Sequence, residues 1–262
     1  MTGNNRERLI VQERDRRLLR ELAVMRIIDR EQAKHVAGFS STTRANARLI
    51  GLTRAGLLRR YFVASGAGGK KALYASSEKG SLLVGVPYRG LRRPQHQLLV
   101  ADFTVEHQLA INDLHCALQY QPIPKEGVTF SRWFAFQEPI TPALRLIPDG
   151  YVELAIPMGT LAAFLEVDFG TETLVIWKEK ADKYLQLAVS GDYARRFGQR
   201  SFRVLVIAHS ERRALSIRKA VAAITQKLFW FASLADAKRD FFGPIWRRSS
   251  SDMREPFLRN LP

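Results

Sequence analysis

The chain has 262 residues, 46% of them apolar, which is room for one large or two ordinary domains with a real core. Its 41 Lys and Arg against 25 Asp and Glu give a formal net charge of +16, pointing to nucleic acid or an anionic surface as partner. A single cysteine, Cys116, excludes an internal disulfide and a Cys-rich zinc site, and no apolar run approaches the roughly 20 residues that span a bilayer.

Residues 1–100 hold 20 Lys and Arg against 7 Asp and Glu, while residues 101–262 hold 21 against 18, so the base is concentrated at the front. The opening MTGNNRER has no apolar stretch of the kind a signal peptide needs, and the expectation is a cytoplasmic protein without a membrane partner. Residues 9–28 carry a helical stripe of Val11, Leu18, Leu19, Leu22 and Met25. Asp29 caps a short second helix, with Gln32 at the capping-box position and Ala33, Val36 and Ala37 inward. A third helix follows the Ser40–Thr42 cluster and ends at Gly56. Its inner face is Ala45, Leu49 and Leu52. Its outer face is Thr43, Arg44, Asn46, Arg48 and Arg54, side chains of the sort that reach base edges and phosphates.

Leu57–Val63 reads as a strand, Ala64–Lys71 as a glycine-rich basic tip and Ala72–Ser76 as the return strand. Three helices and a hairpin with a basic tip resemble the winged helix-turn-helix family over residues 9–84. That resemblance implies DNA contacts from the third helix and from Arg59, Arg60, Lys70 and Lys71. Residues 85–95 (GVPYRGLRRPQ) read as a linker whose Arg92 and Arg93 can touch phosphate.

From His96 to Gln119 the pattern is helical, with Glu106 exposed and with His107, His115 and Cys116 read as ordinary helix content. Arg132–Gln137 is the first strand of the second domain. A hairpin then runs through Val152–Ile156 and Leu161–Asp168; a four-residue turn sets Ile156 opposite Leu161 and gathers Asp149, Glu166 and Asp168 on one face. Those acids can face solvent, pair with Lys178, Lys180 or Lys183 of the next helix, or hold a cation. Thr171–Ala188 is that helix, Phe202–Ala208 a buried strand, Glu211–Leu228 a helix and Phe229–Ser233 a strand. Residues 244–262 read as a loosely held tail.

The order Pro-Asp, turn, then Glu-x-Asp resembles the restriction-endonuclease-like core, whose motif is PD followed by (D/E)xK. The resemblance implies that Asp149 and Glu166 hold Mg²⁺ or Mn²⁺ with Asp168 beside them, and that Lys178, Lys180 or Lys183 of the next helix, with Lys180 as the candidate, substitutes for the lysine missing at Asp168. Glu106 is its candidate for a further carboxylate.

The winged helix joined to Glu166, Asp168, Gly170, Thr171, Glu172, Lys180 and Tyr184 resembles the replication-relaxation family over residues 10–235. The expectation is an α/β chain of a DNA-binding domain (1–84), a linker (85–95), a nuclease-like mixed-sheet domain (96–243) and a tail (244–262). Its implied role is that of a DNA-binding accessory or regulator of plasmid or mobile-element replication or transfer. It would act as a homodimer on double-stranded DNA, with other replication or conjugation proteins as further partners. A metal-dependent DNA endonuclease and a dimeric transcriptional repressor are the alternatives.

Overall fold

The computed structural model describes residues 9–64, 69–89, 98–99 and 103–259. The chain is α/β overall and divides into two compact units, residues 1–112 and 113–262.

In the first unit α1 (Glu13–Met25) buries Leu18, Leu19, Leu22 and Met25, the three-and-four spacing that puts them on one side. β1 (Ile28–Asp29) leads into α2 (Arg30–Ala37) through the expected capping box. Gln32 N–H donates to Asp29 Oδ1 at 2.8 Å, and the Asp29 N–H donates to Gln32 Oε1 at 3.2 Å. Gly38, at φ +65°, ends that helix in the left-handed region. α3 (Thr42–Arg54) buries Ala45, Leu49 and Leu52 and is capped by Ser41. β2 (Leu58–Ala64) and β3 (Lys70–Ser76) form an antiparallel hairpin, with β1 on the outer side of β3. α4 (Glu78–Leu83) closes over the hairpin base so tightly that a Cβ on Gly80 would lie 2.2 Å from the Leu57 carbonyl oxygen. β4 (Leu98–Leu99) lies parallel to β2.

α5 (Phe103–Tyr120) begins in the first unit and ends in the second. The boundary expected at 85–95 therefore falls later, for two reasons of packing. Val105 and Leu109 join the cluster of Ile27, Tyr61 and Leu73, and Asn112 Nδ2 donates to the Met25 and Ile27 carbonyls at 3.1 and 2.6 Å. Arg92 and Arg93 lie outside the described residues.

The second unit is a seven-stranded mixed sheet. β5 (Thr129–Phe134), which starts three residues earlier than expected, forms one edge; β6 (Gly150–Ile156) and β7 (Gly159–Asp168) make the hairpin. α6 (Leu174–Val189) and α7 (Asp192–Phe197) carry the chain to β8 (Arg203–Ala208), which runs parallel to β7. α8 (Glu211–Ala222) crosses back to β9 (Phe229–Ser233), parallel to β8. α9 (Leu234–Arg239) is followed by β10 (Pro244–Arg248) and β11 (Glu255–Pro256), which extend the sheet to its other edge. The tail expected from residue 244 thus carries two strands of the sheet, with Trp246 and Phe257 fully enclosed.

The β6–β7 register differs from the sequence expectation by two residues. Ile156 faces Gly159 across a two-residue turn, and Gly150 faces Leu165. An even shift preserves the faces, so Asp149, Glu166 and Asp168 still share a side; a shift by one would have separated them. That side is core. α6 and α8 cover it, and Trp177 and Tyr184 of α6 join Tyr151, Phe164, Val206 and Phe231 of the sheet in the core. Among the described residues no helix is long and apolar enough to cross a membrane.

Candidate functional sites

The acidic cluster sits at the end of β7, under α6. Glu166 is 1% exposed and both of its oxygens are taken: Lys180 Nζ donates to Oε2 at 2.8 Å and Tyr184 Oη to Oε1 at 2.6 Å. Lys180 also meets Glu172 at 2.8 Å, and its ammonium lies 4.9 Å from the centre of the Trp177 ring. Burial pushes the Glu166 carboxyl up, the Lys180 charge pulls it back and the charge of nearby Asp149 adds to the rise. Burial alone would lower the Lys180 ammonium, but the charges of Glu166 and Glu172 outweigh it and hold it well above the usual lysine range.

Asp149 turns its carboxylate back on the strand end, where Oδ2 accepts the Val167 N–H at 2.7 Å. Asp168, 2% exposed, accepts four hydrogen bonds. Arg213 Nε and Gly170 N–H donate to Oδ1, each at 2.8 Å; Arg213 Nη2 and Trp177 Nε1 donate to Oδ2, each at 3.0 Å. Burial raises this carboxyl, and the bonds from Arg213 and Trp177 more than reverse it, leaving it below the usual aspartate range.

The structure therefore brings Asp149, Glu166, Lys180 and Glu172 together but ties Asp168 to Arg213. A divalent ion needs carboxylate oxygens with free lone pairs. Asp168 has two protein donors on each oxygen, which fills its lone pairs, so it does not fit the Mg²⁺ or Mn²⁺ expected at Asp149, Glu166 and Asp168; Glu166 accepts one on each. Among the described residues no group of three His, Cys, Asp or Glu side chains could hold a metal ion. Glu106 is exposed on the part of α5 that belongs to the first unit, while the cluster belongs to the second. Arg213 is the partner that sequence reasoning missed; nothing distinguishes it locally from the other 40 basic residues, and it meets Asp168 only because β8 runs parallel to β7.

On the first unit Thr43, Arg44 and Arg54 are exposed on α3, and Asn46 is half-buried. Arg44 Nη1 donates to Ser40 Oγ at 3.1 Å. Arg48 behaves differently: its Nε donates to Asp15 Oδ1 at 2.9 Å, and its Nη2 donates to Asp15 Oδ2 and to the Ile10 carbonyl at 2.6 Å. Asp15 is fully buried, so Arg48 ties α3 to α1 and is not free to read a base. On the hairpin Lys70 is exposed, Lys71 pairs with Asp29 at 2.5 Å, and half-buried Arg59 and Arg60 lie over the rings of Tyr88 and Phe62.

The family model described as replication-relaxation matches residues 19–200, from within α1 to just past α7. The chain belongs to the replication-relaxation family. No match was found among curated proteins or among solved structures. The stretch shared with replication-relaxation proteins includes α3, the hairpin, β7 and the Lys180–Glu166 pair, but stops before Arg213. Family membership points to a part in plasmid or mobile-element replication.

Proposed function

We propose that this replication-relaxation protein is a double-stranded-DNA-binding accessory of plasmid or mobile-element replication or transfer. In this reading residues 9–84 act as a winged helix-turn-helix. α3 enters the major groove and the β2–β3 hairpin, with Lys70 near its tip, follows the adjacent backbone. The observation that carries it is the outward face of α3. Thr43, Arg44 and Arg54 stand exposed on a helix that Ser41 caps, in the half of the chain that holds most of the net positive charge. Of the face expected from sequence, Arg48 drops out because Asp15 holds it.

The second unit in this reading is a nuclease-like scaffold whose acids are internal ion-pair partners. A metal-dependent endonuclease finds less support, because protein donors already fill the lone pairs of Asp168. The test is binding of the full chain to duplex DNA from its own replication or transfer region. Arg44→Ala together with Arg54→Ala is expected to weaken binding at least tenfold, since a good base contact is worth about 1–3 kcal/mol.

A further inference from the structure

The second unit carries a cationic cluster used neither by the acidic cluster nor by α3. It lies on the sheet face away from α6 and α8: Val204 and Phe229 belong to the core under those helices, so their strand neighbours Arg203 and Trp230 point to the other face. Arg248 of β10 lies directly across from Trp230. The Arg203 guanidinium is 4.7 Å and that of Arg248 5.8 Å from the centre of the Trp230 ring, and Arg203 is also 5.2 Å from the Phe257 ring.

The charges here do not balance. Glu255, 3% exposed, is the acid of the cluster among the described residues, and its Oε1 is shared by Arg248 at 2.8 Å and Arg259 at 3.3 Å. Arg203 has no carboxylate partner among the described residues; its Nη1 donates to the Phe257 carbonyl at 2.6 Å. Among the described residues three guanidiniums therefore face one carboxylate. Burial, and then the charge of Arg248, push the Arg203 guanidinium down to about 10, which still leaves it cationic at neutral pH. One donor is also unclaimed: Arg248 Nε is enclosed and has no acceptor among the described residues. Holding two mutually repelling guanidiniums beside an aromatic ring, with a buried N–H unmet, costs stability unless an anion completes the arrangement.

We propose that Arg203 and Arg248, beside Trp230, bind a phosphate group, with Arg259 at the rim. Guanidinium is suited to this because its planar fork matches a tetrahedral oxyanion with two parallel hydrogen bonds. The phosphate comes either from a nucleic-acid strand or from a free nucleotide. The inference does not rest on the DNA-reading role of α3, which belongs to the other unit.

The experiment follows thermal unfolding of the full chain as inorganic phosphate replaces chloride at constant ionic strength. The midpoint is expected to rise with phosphate in the wild type, and the rise to be lost in Arg203→Gln and in Arg248→Gln. No phosphate-dependent rise in the wild type, or an equal rise in both variants, overturns the proposal. Should Arg203→Gln fail to fold, Arg248→Gln decides, since that side chain is 42% exposed and Arg259 remains beside Glu255 when it is replaced. A short oligonucleotide and a nucleoside triphosphate then separate the sources. Both are titrated in the Arg44→Ala, Arg54→Ala background so that the first unit does not contribute. Tighter binding of either one, lost in Arg248→Gln, supports the site and names its source; binding of both that Arg248→Gln leaves unchanged contradicts it.

Discussion

Arg44 and Arg48 are one turn apart on α3, yet Arg44 stands in solvent while Arg48 is drawn inward by Asp15, a residue 33 positions earlier in the chain. At the end of β7 the inward arrangement is the rule: Glu166 and Asp168 are enclosed and each is met by a basic side chain from a helix. The first unit thus leaves much of its charge facing outward, and the second turns its most conspicuous charges into internal pairs. A charged residue on a predicted polar face carries little functional information until its nearest opposite charge is known. That partner is set by tertiary packing.

The sharpest way to break this comparison is to remove one partner from the enclosed set. Lys180→Met leaves Glu166 in the core without its counter-ion and with the charge of Asp149 close by, and it is expected to cost about 3–5 kcal/mol of folding stability. Denaturant unfolding measures it; a loss under about 1 kcal/mol would mean that Glu166 is not held as half of a buried ion pair. Next comes the contrast along α3. Arg48→Met strands the buried Asp15 carboxylate and should cost about 3 kcal/mol, whereas Arg44→Ala should stay within about 0.5 kcal/mol. Equal losses would erase the distinction drawn between the two arginines.

A smaller effect is expected from His115, enclosed on α5 with its ring stacked 4.6 Å from Trp133. Burial pushes its imidazole down to about 4. The unfolded chain, with an ordinary value near 6.5, takes up the proton first, so the stability is complete above about pH 6.5 and drains away as the pH falls toward 4. Between pH 6.5 and pH 5 that amounts to roughly 2 kcal/mol, at about 1.36 kcal/mol per unit. His115→Gln should flatten this part of the stability profile, and an unchanged profile would mean that the fold does not lower the imidazole.

Much of the fold was legible because it follows from short-range pattern. The Asp29–Gln32 capping box, the Leu18–Leu22–Met25 stripe and the left-handed Gly56 each act within a few residues. The shared face of Asp149, Glu166 and Asp168 survived an incorrect turn length because strand faces depend only on parity. Which face is covered was not legible, since the crossovers α6 and α8 decide it. The short strands β10 and β11 carried no clear period, and Trp246 of β10 and Phe257 just past β11 find their places only once β9 exists to pair with. The Arg213–Asp168 and Arg48–Asp15 pairs join residues 45 and 33 positions apart, beyond the reach of any local motif.

The most direct trial of the DNA-reading surface is the affinity of the full chain for duplex DNA of its own replication or transfer region, measured by fluorescence anisotropy at fixed salt. Wild type is compared with the folded Arg44→Ala, Arg54→Ala variant. The expected result is at least a tenfold loss; equal affinity of the two proteins would contradict the assignment of α3 as the element that meets DNA.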